Sequence, residues 1–590
     1  MTAIHYSVEA ADLHAHLFRV TLTITQPASQ QTVSLPVWIP GSYLVREFAK
    51  NLQNLTAKQG RRTLALAQRD KCTWDIACKP GQPLVLSYEV YAFDNSVRTA
   101  WLDSQRGFFN GTSLCLRVHG QEQAPHQLQL TPVKSQPAWQ AATGLTPVKT
   151  DKKGFGLYQA AHYDELVDCP VELGAFWSGS FNACGVPHRF VVAGALPSFD
   201  GERLLADTQK ICEAAIHFWH GPGKAAGKKA PHKNYLFMLN AVHDGYGGLE
   251  HRNSTALICK RDDLPRHNSL SSSPRKSEGY TTLLGLISHE YFHTWNVKQL
   301  RPDAFARYDY SQENYTHLLW FFEGFTSYYD DILLRRAGLI DDATYIELLG
   351  KTIAQVQQTP GRHVQSVAQA SFDAWVKYYR QDENTPNATV SYYAKGALLA
   401  LAVDLSLRSS TFWSPAEGWG RGLTRLDLDQ LGRNRRFRQV GRVQPVKVEE
   451  VAAVGRRIGE HSGEMYFEQR ADRGPRPGRR AGGRGLHRAF RRGGFRRFAV
   501  RRFAGLRDRP RDRLRGQLRA GRLAARRFAA RRAGWCRAPS GWWRGKRCRS
   551  TWSTRCSMAW RSVAPTGGCT VIDGSRDWYC SAGGRVFCTT

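Results

Sequence analysis

The clearest chemical pattern in the sequence is the segment HEYFH, which contains His289, Glu290 and His293. In a helix, residues four positions apart lie on one face, so the two imidazoles can converge on a single metal ion. Glu290, between them, is then placed to take a proton from a water molecule whose pKa a zinc ion lowers to about 7. The spacing predicts a site for one Zn²⁺ per chain, with two histidine ligands and a glutamate as the catalytic base.

The alternative is a surface helix that carries two histidines by chance. The apolar residues Leu283, Leu284 and Ile287 precede the motif and favour a helix that faces the core. Burying two histidines and a glutamate in such a helix is costly unless a metal ion or a partner satisfies them. The context therefore favours the zinc site.

A catalytic zinc ion needs a third protein ligand and one open position. Glu323 is the best candidate, because it follows His293 by thirty residues in a second predicted helix, WFFEGFTSYY. A carboxylate among so many aromatic residues should have a partner. An ion pair with an arginine or lysine would satisfy Glu323 equally well, so the residues alone leave both interpretations open.

Four segments resemble the glycyl aminopeptidase family of gluzincin metallopeptidases, which are relatives of the larger alanyl and leukotriene-hydrolase-type aminopeptidases. These segments are PVWIPGSYLVREFAKN, HEYFHTWNVKQLRP, WFFEGFTSYYDD and SYYAKGALLAL. The resemblance covers roughly residues 1–410. It implies a β-rich N-terminal domain, a thermolysin-like catalytic domain, zinc bound by His289, His293 and Glu323, and removal of small N-terminal residues such as Gly or Ala from peptides.

The resemblance also implies a role for Glu250 in the segment GGLEH. This residue matches the glutamate that holds the substrate's free α-amino group in the wider aminopeptidase group. A fixed carboxylate would pair with the ammonium and position the first peptide bond over the zinc ion. The wider group has asparagine at the next position, where this chain has His251. The alternative is that Glu250 is a solvated loop carboxylate.

Tyr393, in the segment YYAKG, matches the tyrosine whose hydroxyl donates to the developing oxyanion in that group. Such a donor stabilises the tetrahedral intermediate. Two alternatives stay open: the neighbouring Tyr392 could take this role, or Tyr393 could simply pack in a helix.

The elements that carry these residues indicate an α+β protein. Residues 1–175 are predicted to form a β-rich domain, because segments such as LFRVTLTIT and PLVLSYEVYAF alternate apolar and polar residues. Residues 176–410 are predicted to be mainly helical, and the resemblance implies that they form the thermolysin-like catalytic domain. Its helices are predicted at about 280–296, at about 312–337 and from an N-cap at Ser391.

The net charge of +33 is concentrated at the C-terminal end of the chain. Residues 411–590 contain 41 Arg, 2 Lys and 13 acidic residues, a net charge of +30, whereas residues 1–410 have a net charge of only +3. The near absence of lysine favours GC-rich DNA translated in a shifted frame, beginning near 409–413, and the alternative is a disordered tail that binds RNA. The PDZ domain usual in the family has no recognisable pattern there, so we predict that this tail is not a native domain.

Composition limits the remaining possibilities. There is no run of 18 apolar residues and no basic stretch followed by an apolar one at the N-terminus, so the sequence predicts a cytoplasmic protein that does not contact membranes. The thirteen scattered cysteines, without a CxxC pair, are expected to be reduced. The predicted partners are peptide substrates, without specific nucleic acid. The rival functions are a zinc endopeptidase and a non-enzymatic RNA-binding protein.

Overall fold

The computed structural model describes residues 4–267 and 276–410. Beyond them it describes the short strands Gln444–Val446, Trp535–Ala538, Gly541–Arg544, Tyr579–Cys580 and Val586–Phe587. The predictions made for residues 411–590 therefore lie outside the described residues, apart from these strands. The sheets, helices and site residues of residues 4–410 belong to one compact unit, formed by residues 1–471.

The N-terminal part of the chain is rich in β-strands, as predicted. Its elements, in chain order, are β1 (Ile4–Asp12), β2 (Leu17–Ile24), β3 (Gln30–Ser34), β4 (Leu52–Gln59), β5 (Arg62–Leu64), β6 (Ala67–Gln68), β7 (Thr73–Ala77), β8 (Leu84–Tyr91), β9 (Ala100–Leu102), β10 (Arg106–Phe109), α1 (Gly111–Leu114), β11 (Arg117–Val118), β12 (His126–Leu130), β13 (Gln140–Thr143), β14 (Thr146–Thr150), β15 (Gly156–Ala160), α2 (Tyr163–Val167) and β16 (Val171–Gly174). The largest sheet has the strand order β14-β15-β12-β1-β2-β8-β4-β5. Two smaller sheets have the orders β13-β16-β10-β9 and β11-β3-β7-β6.

Strands β2 and β8 show the alternation that the sequence predicts. Their inward-facing residues are buried: Phe18, Val20, Leu22 and Ile24 in β2, and Leu84, Leu86, Tyr88 and Val90 in β8. Because successive side chains of a strand point to opposite faces, this alternation assigns one face of the large sheet to the core.

Helices and one mixed sheet make up the following part. The elements are β17 (Trp177–Ala183), β18 (Val186–Ala193), α3 (Gly201–His220), β19 (Tyr235–Val242), β20 (Gly247–Glu250), β21 (Ser254–Lys260), α4 (Glu278–Phe292), β22 (Leu300–Pro302), α5 (Leu319–Arg336), α6 (Asp342–Gln358), α7 (Val367–Phe372), α8 (Thr385–Ala388) and α9 (Tyr392–Ser410). The sheet has the order β17-β18-β19-β21-β20. Strand β20 runs antiparallel to β21 and forms the edge of this sheet.

The three predicted helices exist, with different bounds. Helix α4 begins after Ser277, whose hydroxyl accepts from the Tyr280 N–H at 3.2 Å. Helix α9 follows Ser391, whose hydroxyl accepts from the Ala394 N–H at 3.2 Å, as expected of an N-cap. The predicted start of the second helix near 312 is wrong, because α5 begins only at Leu319.

Helices α5 and α9 approach each other closely through two glycines. A Cβ atom on Gly396 would lie 2.5 Å from the Trp320 carbonyl oxygen, and one on Gly324 would lie 2.5 Å from the Gly396 Cα. Only glycine permits backbones to come this close. The contact fixes α5 and α9 relative to each other, and each of these helices carries one of the residues singled out above, Glu323 and Tyr393.

A segment of the N-terminal part packs into the core around the helices. Val37, Trp38 and Tyr43 are buried among residues of α4 and α5. The Trp38 indole N–H donates to the Asp309 carbonyl at 2.7 Å, and the Val37 N–H donates to the Tyr310 carbonyl at 2.9 Å. The chain between β3 and β4 is thereby held against the segment that precedes α5.

None of the helices in the described ranges is long and apolar enough to cross a bilayer. Within the same ranges the cysteines are free thiols, as the sequence predicts: Cys72, Cys78, Cys115, Cys169, Cys184, Cys212 and Cys259.

Candidate active site

His289 and His293 lie one turn apart at the end of α4, with their Nε2 atoms 3.1 Å apart. Both side chains are largely buried. Two imidazole lone pairs that face each other at this distance repel unless a proton or a cation lies between them. The helix thus brings the two predicted ligands together in the way that a shared metal ion requires.

The other nitrogen of each ring has its own partner. His289 Nδ1 lies 2.9 Å from an Asp330 carboxylate oxygen, and His293 Nδ1 lies 2.8 Å from the Asn296 carbonyl oxygen. Because both partners are acceptors, each ring carries its proton on Nδ1 and presents the lone pair of Nε2 to the site.

Glu323 extends from α5 toward both imidazoles. Its Oε2 lies 3.2 Å from His293 Nε2 and 3.6 Å from His289 Nε2. Burial raises the pKa of the Glu323 carboxyl, but the two histidines outweigh it and lower that pKa to about 2. No lysine or arginine of the described residues forms an ion pair with Glu323, so the alternative partner considered above is not found there.

The three candidate ligands fit a zinc ion. Their ligand atoms are 3.1, 3.2 and 3.6 Å apart. In a tetrahedral site with bonds of about 2.0–2.1 Å, ligand atoms are separated by roughly 3.3 Å. Two histidines and one glutamate with an open fourth position are a known ligand set of catalytic zinc sites.

Glu290 faces the same cavity from α4. The side chain is buried, and its Oε2 has no hydrogen-bond partner among the described residues. Burial raises the pKa of the Glu290 carboxyl to about 7. A Cβ atom on Gly248 would overlap the Glu290 carboxylate, so the edge strand β20 passes directly over it. A base poised near neutral pH with an unoccupied acceptor is suited to proton transfer.

Glu250 ends β20 and is buried, not solvated. One of its carboxylate oxygens lies within 4.8 Å of the ligand atoms of Glu290 and His293. Its other neighbours are Gly41, where a Cβ atom would lie 2.6 Å from the Glu250 carboxylate, and Lys298, whose Nζ lies 3.8 Å from Oε1. Glu250 is thus a buried side chain within reach of Glu290.

Tyr393 lines the cavity from α9. Its ring centre is 6.3 Å from that of His289, and its hydroxyl lies 3.4 Å from the hydroxyl of Tyr379. Tyr392 is fully buried and is not among the residues that line the cavity. Of the two tyrosines considered, Tyr393 is therefore the one that faces the candidate ligands.

The cavity has a volume of about 370 Å³. It brings together the six predicted site residues, His289, Glu290, His293, Glu323, Glu250 and Tyr393. A space of this size accommodates a small ligand rather than a folded chain.

Comparison with known proteins identifies the family. Family models match the Peptidase M61 N-terminal domain over residues 5–175 and M61 glycyl aminopeptidase over residues 282–399. A solved structure, of an aminopeptidase N family protein from Idiomarina loihiensis, is similar at 40% sequence identity with a TM-score of 0.66, over 76% of this chain and 78% of that one. The chain belongs to the M61 glycyl aminopeptidase family. No curated protein matches it.

Membership of the M61 family makes the chain a peptidase. It also supports the family resemblance noted in the motifs around His289 and Glu323, which lie within the second matched range. The first matched range ends in the loop between β16 and β17.

Several residues that contact the site of this M61 peptidase were not predicted, among them Asp330 and Tyr43. Asp330 follows Glu323 by seven residues, which is two helical turns, so a search for a second carboxylate on the same face of α5 would have found it. Tyr43 donates its hydroxyl to Glu323 Oε1 at 3.4 Å. It lies 280 residues earlier in the chain, and no local pattern connects the two.

Proposed function

We propose that this M61 peptidase is a zinc-dependent aminopeptidase that removes single residues from the N-terminus of peptides. The observation that carries the proposal is the short distance, within 4.8 Å, between the ligand atoms of Glu250, Glu290 and His293. A substrate ammonium bound by Glu250 would leave space for only one residue before the scissile bond. Family membership supports a preference for substrates whose N-terminal residue is small, such as Gly or Ala.

In this mechanism, Glu250 pairs with the α-ammonium of the substrate and aligns the first peptide bond. Glu290 takes a proton from the attacking water and returns it to the leaving amine. The Tyr393 hydroxyl donates to the oxyanion that develops on the carbonyl oxygen. A zinc ion held by His289, His293 and Glu323 would supply a Lewis acid.

Lys298 lies beside Glu250 without filling its place. Its Nζ is 3.8 Å from Glu250 Oε1 but 3.3 Å from Asp168 Oδ1, so its closer partner is Asp168. Glu250 is therefore a carboxylate with acceptor capacity left for a substrate ammonium.

The test compares free and N-acetylated substrates. Purified protein should contain about one zinc ion per chain and should cleave an alanyl anilide but not its N-acetyl form. Glu250→Gln should lower kcat/KM for the free-amine substrate by about 10–100-fold, because a hydrogen bond to a charged group is lost. Glu202→Gln, an exposed glutamate on α3, is the matched control and should leave it unchanged.

An endopeptidase remains the second candidate, because such an enzyme would use the same metal ligands and Glu290 without an amine anchor. Cleavage of the acetylated substrate at the free-amine rate would favour it. Absence of zinc in folded, unmutated protein would refute the metal assignment for either peptidase. The cytoplasmic location and the absence of a nucleic-acid partner stay predictions.

A further inference from the structure

The active-site cavity contains one side chain that the proposed mechanism leaves unused, Arg98. It is the only arginine or lysine among the described residues that line this cavity. Its Nη2 donates to the Gly248 carbonyl at 3.2 Å, whereas its Nε is buried without a hydrogen-bond partner in the described part of the chain. No Asp or Glu of the described residues forms an ion pair with it. Arg98 is half-buried, and a guanidinium that is partly removed from water without an anion is costly.

The backbone on both sides of Arg98 is firmly held. Asn110 is fully buried, and its side-chain amide donates to the carbonyls of Val97 at 2.9 Å and Thr99 at 3.1 Å. The Arg98 N–H donates to the Ser96 hydroxyl at 3.2 Å. Side chains that bind ligands specifically need this kind of support from their surroundings.

A second cation lies nearby. Burial, and then the charge of Arg98, lower the pKa of Arg46 to about 10. The Arg46 guanidinium donates to the Ser42 hydroxyl, at 2.7 Å from Nη2. Neighbouring positive charges attract an anion, and an arginine guanidinium matches the two oxygens of a carboxylate.

The point at which Arg98 contacts β20 indicates which end of a substrate its guanidinium would meet. Arg98 is bound at Gly248, whereas Glu250 lies two residues further along the strand. At about 3.3 Å per residue, the backbone positions of Gly248 and Glu250 are roughly 7 Å apart, which is also the length of an extended dipeptide. Glu290 also lies against Gly248, so the proposed base is close to the strand position that Arg98 contacts.

We propose that Arg98 binds a substrate carboxylate on the leaving-group side of the scissile bond, and that this is the C-terminal α-carboxylate of a di- or tripeptide. The peptidase would then be selective for very short peptides, held by their charged ends between Glu250 and Arg98. This inference rests on the proposed function, because it takes Glu250 as the anchor of the amine. An acidic side chain at the second position would offer Arg98 the same chemistry.

The experiment measures kcat/KM of the zinc-loaded, full-length protein for Ala-Ala, Ala-Ala-amide and Ala-Asp-amide. We expect Ala-Ala to be cleaved about 10–100-fold more efficiently than its amide, as for a hydrogen bond to a charged group. In Arg98→Gln this ratio should approach one. The exposed Arg62→Gln on β5 is the control and should keep the ratio of the unmutated protein.

Two outcomes decide whether Arg98 binds a substrate carboxylate and where that carboxylate comes from, and a second variant covers the case in which Arg98→Gln does not fold. If Ala-Asp-amide is favoured over Ala-Ala-amide, and the preference disappears in Arg98→Gln, the carboxylate site stands and its source is the side chain. If the unmutated protein cleaves Ala-Ala, Ala-Ala-amide and Ala-Asp-amide equally well, the inference is refuted whether or not a variant folds. Should Arg98→Gln not fold, Arg98→Lys keeps the charge without the paired donors, and its ratio should fall between one and the unmutated value.

The two proposals fail separately. An unmutated protein that cleaves an alanyl anilide but treats acid and amide alike is an aminopeptidase without a carboxylate site. A protein that does not cleave the anilide, or that cleaves its acetylated form equally well, contradicts the amine anchor itself.

Discussion

Glu290 and the three candidate zinc ligands occupy one cavity but have separable tasks. Glu290→Gln should keep the zinc ion, because His289, His293 and Glu323 are unchanged, and should lower kcat by at least 10²–10⁴-fold, because the proton carrier is lost. Metal analysis and turnover of an alanyl anilide measure the two effects. A variant that lost its zinc would mean that Glu290 is a ligand rather than a base.

Tyr393 and Tyr392 are neighbours in the chain, which makes them a matched pair. Tyr393→Phe should lower kcat by about 10²–10³-fold, because one donor to the oxyanion disappears. Tyr392→Phe should leave kcat unchanged, because Tyr392 is fully buried and does not line the cavity. Steady-state kinetics on the same substrate compare them, and equal losses would contradict the role of Tyr393.

Residue types and spacing predicted the candidate ligands, because local helix geometry decides which side chains share a face. His289 and His293 share a face by their separation alone, and Glu323 was the conspicuous carboxylate in the next helix. Tyr43 and Arg98 could not be found in this way. Arg98 reaches the cavity, and Tyr43 reaches Glu323, from the β-rich part of the chain. Only the packing of that part against β20 and α5 brings them there.

The contact between α5 and α9 depends on glycine. Gly396→Ala would press a Cβ atom against the Trp320 carbonyl, so we expect it to destabilise the protein by about 1–3 kcal/mol and to lower kcat by displacing Tyr393. Gly350→Ala, in α6, has nothing within 4 Å of the new Cβ and should stabilise by about 0.5–1 kcal/mol. Urea unfolding of both variants tests this, and similar stabilities would contradict it.

The bounds of α5 mark where helix prediction failed and why. Residues 312–318 have acceptable helix formers, yet polar side chains fold this stretch into a loop. Asn314 accepts from the Asp309 N–H at 2.9 Å, and its own amide donates to the Asp309 carbonyl at 2.7 Å. Asparagine and aspartate compete with helices through such local hydrogen bonds. The start of α9, in contrast, was predictable, because Ser391 caps it through its own side chain.

Asp168, in the β-rich part, binds cations of the following part of the chain, and we expect this cluster to make the unit sensitive to acid. It lies 3.1 Å from His251 Nδ1, 3.1 Å from Arg252 Nε and 3.3 Å from Lys298 Nζ. Burial raises the pKa of Asp168, but Lys298, His251 and Arg252 hold it well below its usual range. Because the pKa is lower in the folded state, the stabilisation is present above about pH 4 and is lost as pH falls further.

Asp168→Asn should therefore lower the free energy of unfolding by about 3–5 kcal/mol at pH 7, because it leaves buried cations without their anion. It should also flatten the decline in stability below about pH 4. Asp244→Asn is the control, because Asp244 is an exposed partner of Lys260 at 2.9 Å. Thermal unfolding against pH measures both, and parallel curves for the two variants would contradict the prediction.

The Arg-rich composition of residues 411–590 leads to a prediction about the gene. If the frame shifts near codon 410, a second sequencing of that region from independently prepared DNA should restore a reading frame with ordinary proportions of lysine and arginine. An identical sequence would leave the chain with a genuine Arg-rich tail, and RNA binding would then become worth measuring.

The segment around Gly41 and Tyr43 makes this active site a poor candidate for transplantation. Gly41 lies against Glu250, and Tyr43 donates to Glu323, so two of the proposed functional carboxylates are each contacted by the strand-rich half of the molecule. A chimera joined near residue 175 would keep the HEYFH helix intact. Its Glu250 and Glu323 would nevertheless be contacted by the N-terminal residues of a different protein. Recombination between relatives should consequently give active protein only where residues 37–43, β20 and α5 come from the same parent.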